Sequence, residues 1–259
     1  MTEPVCYLGL LIPAYNESAR LPRTVETVVG YLRAQQYSWQ LLIVDDGSTD
    51  DTLAVARALQ VRTPELAVKA NDHRGKAYAV RSGMLQLKAK FLVFTDADLS
   101  VPIEELARLL EKLEMGADVV IGSREAPGSR RIGEPAYRHL MGRVFSLTYR
   151  MLILHGVEDA QCGFKGFRQT AGRILFRHLL LYGEDAPVVR GGLLTGFDAE
   201  LLFLARRWGF RIAEVPVDWY YGAGSKMRPQ RDIPKMLGDI LKIRWNAITG
   251  RYVPTRPDA

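Results

Sequence analysis

Cysteine is nearly absent. Cys6 and Cys162 are the two among 259 residues, which excludes a disulfide-stapled scaffold and fits a reducing compartment. No apolar run approaches the ~18 residues of a membrane-spanning helix, and the first residues show no signal-peptide pattern. His73, His139, His155 and His178 have no metal-ligand spacing, and H-E-x-x-H does not occur; they read as surface or structural residues. Gly75-Lys76 is followed by Ala77 and lacks the upstream glycine of a P-loop, and no G-x-G-x-x-G follows the first apolar run. No Ser/His/Asp spacing indicates a nucleophilic triad.

What is present is ordinary in bulk and uneven in charge. Apolar residues make up 47% and charged residues 25%, the composition of a soluble globular chain. The formal charge is +6, so an anionic partner is expected: nucleic acid, a membrane surface or a phosphate substrate. From Gly224 to Arg251 there are seven basic residues (Lys226, Arg228, Arg231, Lys235, Lys242, Arg244, Arg251) and two acids, net +5. From Arg124 to Arg150 there are six (Arg124, Arg130, Arg131, Arg138, Arg143, Arg150) and two acids, net +4, which leaves the body of the chain at −3.

The first half alternates strand and helix patterns. Tyr7–Ile12 is a buried strand closed by Pro13, and Thr24–Gln35 carries apolar residues at helical spacing. Leu41–Val44, Leu66–Lys69, Phe91–Thr95 and Val119–Ile121 are further strands, separated by helices ending near Leu59, spanning about Lys76 to Leu87, and opening at Pro102. This alternation predicts an α/β fold, a doubly wound, mostly parallel sheet flanked by helices. In such sheets the ligand lies beyond the carboxyl ends of the strands, and each polar cluster here follows a strand.

Three clusters carry candidate chemistry. Alternation at a strand end points Asp96 and Asp98 to one side and Ala97 to the other. Two carboxylates so close repel unless a cation joins them, and a hard divalent ion bound there keeps positions open for a diphosphate; a solvated loop of helix-capping acids is the plainer alternative. Asp45-Asp46-Gly47-Ser48 is either a capped turn or a carboxylate offered to a nucleobase N–H. Pro13-Ala14-Tyr15-Asn16-Glu17 supplies a ring for stacking and a further carboxylate, or ordinary packing.

Taken in order, Ile12-Pro13-Ala14-Tyr15-Asn16-Glu17, Val44-Asp45-Asp46-Gly47-Ser48-Thr49-Asp50, Arg74-Gly75-Lys76, Asp96-Ala97-Asp98-Leu99-Ser100 and Gly122-Ser123-Arg124 resemble a family 2 glycosyltransferase of the GT-A fold. In the second half, Asp159-Ala160-Gln161-Cys162-Gly163-Phe164-Lys165, Gly196-Phe197-Asp198-Ala199-Glu200-Leu201-Leu202, Ile212-Ala213-Glu214-Val215-Pro216-Val217 and Gly224-Ser225-Lys226 resemble dolichyl-phosphate β-glucosyltransferases and their prokaryotic polyprenyl-phosphate relatives. The resemblance runs from about Leu10 to Arg244. It implies a single GT-A domain, with residues 1–122 as the nucleotide-sugar half and 123–259 as the acceptor and membrane-interface half.

The implied reaction is inverting transfer of a hexose, glucose from UDP-glucose, to a polyprenyl or dolichyl phosphate, assisted by Mg²⁺ or Mn²⁺. Carried over by position, Pro13, Ala14, Tyr15, Glu17, Val44 and Asp46 hold the nucleoside. Lys76 sits near the uracil or diphosphate, Asp96 and Asp98 bind the metal, and Ala97 lies between them. Arg124 and Lys226 meet phosphates, and Arg138, Lys165 and Arg228 complete the substrate contacts. Asp98, Arg124 and Asp198 form the catalytic set, with Asp198 or Glu200 orienting sugar hydroxyls. No dedicated base is needed, because a phosphate monoester is already ionised near neutral pH. Related mannosyltransferases have a basic residue where Tyr220 stands and tend to have Gln where Ser100 stands, which weighs against a GDP-mannose donor, the nearest alternative.

The two basic segments show how such a chain meets a lipid. Arg138, His139, Arg143 and Arg150 share one sector of a helical wheel, with Leu140, Val144, Leu147, Met151 and Leu154 opposite, the pattern of a helix lying in an anionic membrane interface or on a core. Asp232–Ile248, with Pro234 near its first position, puts Lys235, Asp239, Lys242 and Asn246 on one stripe, apolar residues elsewhere, and Arg244 amid the apolar surface. A peripheral enzyme on the cytoplasmic membrane face is expected. Transfer to a soluble or polysaccharide acceptor is the second enzyme reading. Nucleic acid is not expected, because the basic residues interleave with aliphatics at helical spacing and not with exposed aromatics.

Overall fold

A computed structural model describes residues 6–135, 156–189, 196–222 and 229–253. In chain order, β1 (Cys6–Ala14), α1 (Leu21–Arg33), β2 (Trp39–Asp45), α2 (Thr52–Arg62), β3 (Leu66–Ala70), α3 (Lys76–Gln86), β4 (Ala89–Phe94), α4 (Leu106–Glu114) and β5 (Val119–Ser123) follow the predicted alternation. The later strands are β6 (Arg130–Ile132), β7 (Lys165–Arg168), β8 (Ile212–Pro216) and β9 (Asp218–Tyr220), with helices Gln169–Arg177, Phe197–Arg207 and Pro229–Ile248. The main sheet has the order β3-β2-β1-β4-β7-β5-β8, and β6 pairs with β9 in a small second sheet.

Both faces of the sheet are covered, which is why its strands read as unbroken apolar runs. Leu8, Leu10 and Ile12 of β1 face one core with α1, α2 and α4. Leu11 faces the other, with α3 and the helices of the second half. Strand β1 does not stop at Pro13 but continues to Ala14, with Pro13 opposite Val44 of β2. On its other side, pairing with β4 has already ended at Leu11 and Phe94, so the N–H that proline lacks has no partner to disappoint.

Strand β7 has no counterpart among the predicted elements. It runs antiparallel to both β4 and β5, and its sequence, Lys165-Gly166-Phe167-Arg168, holds one large apolar side chain. The final helix also departs from expectation: it begins at Pro229, so Pro234 lies in its second turn. Its polar stripe turns inward. Asp239 and Asn246 are buried beside Ile240 and Ile243, whereas Leu241, Trp245 and Ile248 are exposed. Among the described residues, no helix is long and apolar enough to cross a membrane.

Glu200 ties three parts of the second half together. It is fully buried on the Phe197–Arg207 helix and accepts the N–H of Leu180 at 2.9 Å, the N–H of Leu181 at 3.2 Å and the Tyr252 hydroxyl at 2.8 Å. It is thus a structural carboxyl and not, as the sequence allowed, a sugar ligand. Burial pushes its pKa up to about 7, against partial opposition from these hydrogen bonds. The native state therefore binds this proton more tightly than the unfolded chain. Glu200 costs nothing below its unfolded pKa, and stability is lost as pH rises toward 7. Replacing Glu200 by Gln should leave stability near that of the wild type at pH 5 and exceed it by up to about 3 kcal/mol at pH 8. Urea midpoints across this range measure it, and a pH-independent difference would refute the assignment.

Candidate active site

Parallel strands β2, β1 and β4 end side by side, and the order of connection reverses between β1 and β4. That reversal opens a crevice beyond their carboxyl ends. Tyr15 follows β1 into it, Asp46 follows β2, and Asp96 follows β4.

Asp46 is buried and organises the adjoining loop. Its Oδ2 accepts the Gly75 N–H at 2.8 Å and lies 2.8 Å from His73 Nδ1, and its Oδ1 accepts the Arg74 N–H at 3.1 Å. Burial pushes this carboxyl up, and the hydrogen bonds offset that only in part. Gly75 has φ of 94°, a conformation glycine adopts readily, and α3 starts at the next residue. Asp46 thereby sets where Lys76 stands. His73, read from the sequence as surface or structural, lies against the Tyr15 ring with centroids 3.9 Å and planes 2° apart. Its position just ahead of Gly75-Lys76 was the available signal; spacing rules for histidine could not find it.

Asn16 and Glu17 bind the loop after β2. The Asn16 N–H donates to Ser48 Oγ at 2.9 Å, and the Glu17 N–H donates to Thr52 Oγ1 at 2.8 Å. The Glu17 carboxylate pairs with Arg20 at 2.8 Å. Pro13, Ala14, Val44 and Ala97 have buried side chains. Val44 packs in the core with Leu11 and Val80, so these four can offer a ligand only backbone.

Strand β4 ends before Asp96, so Asp96-Ala97-Asp98 is a turn, not a strand end, closed by the Leu99 N–H donating to Asp96 O at 3.1 Å. The sidedness survives. Asp98 is exposed and Asp96 half-buried, whereas Ala97 points inward and its carbonyl accepts from Thr24 Oγ1 at 2.6 Å. Lys76 Nζ pairs with Asp96 Oδ1. Burial draws this ammonium down, and Asp96, Asp198 and Asp98 together more than reverse it, holding Lys76 above the usual lysine range. Gly163 passes so close that a Cβ there would occupy the place of the Asp96 carboxylate.

Asp198 enters from the first turn of its helix. Its Oδ1 accepts from Lys165 Nζ at 2.6 Å, and the same ammonium donates to the Cys162 carbonyl at 2.5 Å. Lys165 is fully buried, so it reaches a substrate through Asp198 and not directly. Burial, with Asp159 nearby, pushes the Cys162 thiol up to about 12, which keeps it protonated. Arg124 faces Asp159: its Nε donates to Oδ2 at 2.6 Å and its Nη2 to Oδ1 at 2.8 Å, and it lies over Trp219. Burial works against both charges, and their pairing outweighs it, leaving Arg124 above and Asp159 below its ordinary range. Arg138, Lys226 and Arg228 lie outside the described residues, as does most of the first basic segment.

Lys76, Lys165, Asp96, Asp98 and Asp198 therefore form one cluster of three carboxylates and two ammonium groups. Among the described residues no three His, Cys, Asp or Glu side chains are set to enclose a metal ion. Asp96 and Asp98 fit a hard divalent cation in a different way, as two carboxylates at an open turn with space kept by Gly163.

The glycosyl transferase family 2 profile matches residues 10–174. A dolichyl-phosphate beta-glucosyltransferase of Dictyostelium discoideum is 30% identical over 260 residues, covering 94% of this chain and 76% of its own length. The enzyme of that name from Homo sapiens is 30% identical, covering 96% and 78%. Among solved structures, glucosyl-3-phosphoglycerate synthase of Mycobacterium tuberculosis, in complex with Mn²⁺, uridine diphosphate and glucosyl-3-phosphoglycerate, superposes with a TM-score of 0.64 at 18% identity, over 97% of this chain and 82% of that one. A mannosyltransferase of Pyrobaculum calidifontis in complex with GDP-mannose and Mn²⁺ gives 0.58 at 18% identity, over 93% and 65%. The crevice at the β1–β4 reversal, its ordered motifs and this match over more than half of the chain agree: the protein belongs to glycosyl transferase family 2.

Proposed function

We propose that the protein transfers glucose from UDP-glucose, with inversion, to a polyprenyl phosphate of the dolichyl kind. One observation carries this reading. The likeness to dolichyl-phosphate beta-glucosyltransferases extends beyond the family profile, which ends at residue 174, through the acceptor half to more than nine-tenths of the chain. The donor half is common to the whole family; it is the second half that separates acceptors.

The nucleoside lies between Tyr15 and the Asp46 loop in this reading. Lys76 faces the diphosphate, and Asp198, held by Lys165, orients the sugar. Asp96 and Asp98 hold Mg²⁺ or Mn²⁺, and the ion when bound neutralises charge on the leaving diphosphate. An oxygen of the acceptor phosphate, already anionic, forms the bond to the sugar's C1 as the bond from C1 to the diphosphate oxygen breaks, and UDP departs with that electron pair. No proton has to move. The chain's task is therefore to align two anions and compensate their repulsion, and Arg124, Arg138, Lys226 and Arg228 are the further cations assigned to it.

The enzyme works from the membrane surface, at the cytoplasmic face, in the same reading. Leu241, Trp245 and Ile248 project from one side of the final helix, with Val253 exposed just beyond it, and Lys242, Arg244 and Arg251 are exposed beside them. Apolar residues edged by cations suit an anionic interface, where each Lys or Arg contributes about 1 kcal/mol.

Two experiments test these assignments. Incubation with UDP-glucose, UDP-galactose or GDP-mannose, a polyprenyl phosphate and Mn²⁺ or Mg²⁺ should release UDP from UDP-glucose; release of GDP alone would overturn the donor. Replacing Asp98 by Asn should lower turnover roughly 100-fold or more with an unchanged circular dichroism spectrum, because Asp98 is exposed and accepts only the Ser100 N–H among the described contacts. In flotation with phosphatidylserine-containing vesicles, binding should weaken as salt rises and vanish in a Leu241→Glu, Ile248→Glu double variant. A wild-type chain that never floats would remove the membrane assignment.

A further inference from the structure

Between the final helix and residues 180–189 lies a cavity of about 500 Å³, within the ~300–1,000 Å³ range of small-molecule sites. Four of its lining side chains are basic, Arg74, Lys235, Lys242 and Arg251, and one is acidic, Asp239. That carboxylate is turned to the fold: it is buried, and its Oδ2 accepts the Tyr182 hydroxyl at 2.6 Å and the Gly196 N–H at 3.1 Å. Lys242 and Arg251 are exposed, and no carboxylate within salt-bridge distance is found for either among the described residues. The remaining wall is largely apolar, and two of its members, Leu180 and Trp245, are also exposed at the rim.

Two connections lead from this cavity to the active-site crevice. Arg74 immediately precedes Gly75-Lys76, and its backbone is held by Asp46 while its Nη1 donates to the Glu184 carbonyl at 2.9 Å. Asp239 holds Gly196, two residues before Asp198. The cavity thus adjoins the donor site at both the loop that carries Lys76 and the helix start that carries Asp198.

We propose that this cavity binds the phosphate end of the lipid acceptor, between Lys242, Arg251, Lys235 and Arg74, with the apolar chain leaving over Leu180 and Trp245 toward Leu241. The inference rests on the assignment of a polyprenyl phosphate as acceptor. An excess of cations selects a phosphate. A dry rim continuous with the exposed apolar side of the helix selects one that carries a hydrocarbon tail.

Calorimetric titration with farnesyl phosphate, farnesol, inorganic phosphate and UDP tests this on the full chain. A Lys242→Gln, Arg251→Gln double variant, altered only at exposed positions, should bind farnesyl phosphate at least tenfold more weakly, with UDP affinity unchanged as the sign of an intact donor site. Trp245→Ala should weaken farnesyl phosphate and farnesol but not inorganic phosphate. Inorganic phosphate binding as tightly as farnesyl phosphate would make this a simple anion site and overturn the lipid assignment. If the double variant binds and glucosylates farnesyl phosphate as the wild type does, this inference alone falls. If the wild type neither binds nor glucosylates it, the acceptor assignment falls as well.

Discussion

Asp96, Asp98 and Asp198 bring three negative charges to one crevice, and the structure depends on how they are held there. Lys76 and Lys165 come from different places, the first residue of α3 and strand β7, and each pairs with one of them. Neither lysine is positioned by its own helix or strand alone. Lys76 stands where it does because the buried Asp46 carboxylate gathers the N–H groups of Arg74 and Gly75. Lys165 is aimed by the Cys162 carbonyl in the turn that also brings Gly163 against Asp96. Like charges are kept together by second-layer contacts that no substrate would touch, and a preorganised cluster of this kind is what charge-stabilising catalysis requires.

The same bookkeeping of charge changes what the two basic segments mean. In the described part of the first, Arg124 is paired with Asp159, Arg130 with Asp218, and Arg131 with Glu125 and Glu134. Those arginines bind β5, β6 and β9 to their neighbours, so much of that local charge serves the fold. The second segment differs. Lys242, Arg244 and Arg251 are exposed, and it is there, beside Trp245 and Leu241, that the surplus positive charge faces outward.

The strands of the first half were legible because they are buried on both faces and bounded by turn residues. The three polar clusters were legible because each follows such a strand. Strand β7 was not, since a buried lysine and a glycine erase the apolar pattern and only pairing with β4 and β5 makes it a strand. Asp46 was found as a site residue without its main role, for the contacts it makes lie 27 to 29 positions along the chain. His73 escaped for the same reason. The final helix was recognised by its period and misjudged in direction: its polar stripe looked like the solvated side, yet Asp239 and Asn246 are buried because each has a partner inside.

That inversion has a physical consequence for how donor and acceptor meet. A helix that buries its polar stripe and exposes part of its apolar surface is costly in water, and the cost falls when the apolar side is covered. The buried side is not inert packing: through Asp239 it holds Gly196, and the helix that begins there carries Asp198 to Lys165. Covering the outer face therefore stabilises the element that fixes the sugar-facing carboxylate. Surface engagement and donor-site order are linked through one hydrogen bond from a buried aspartate, without any requirement that the lipid touch the donor.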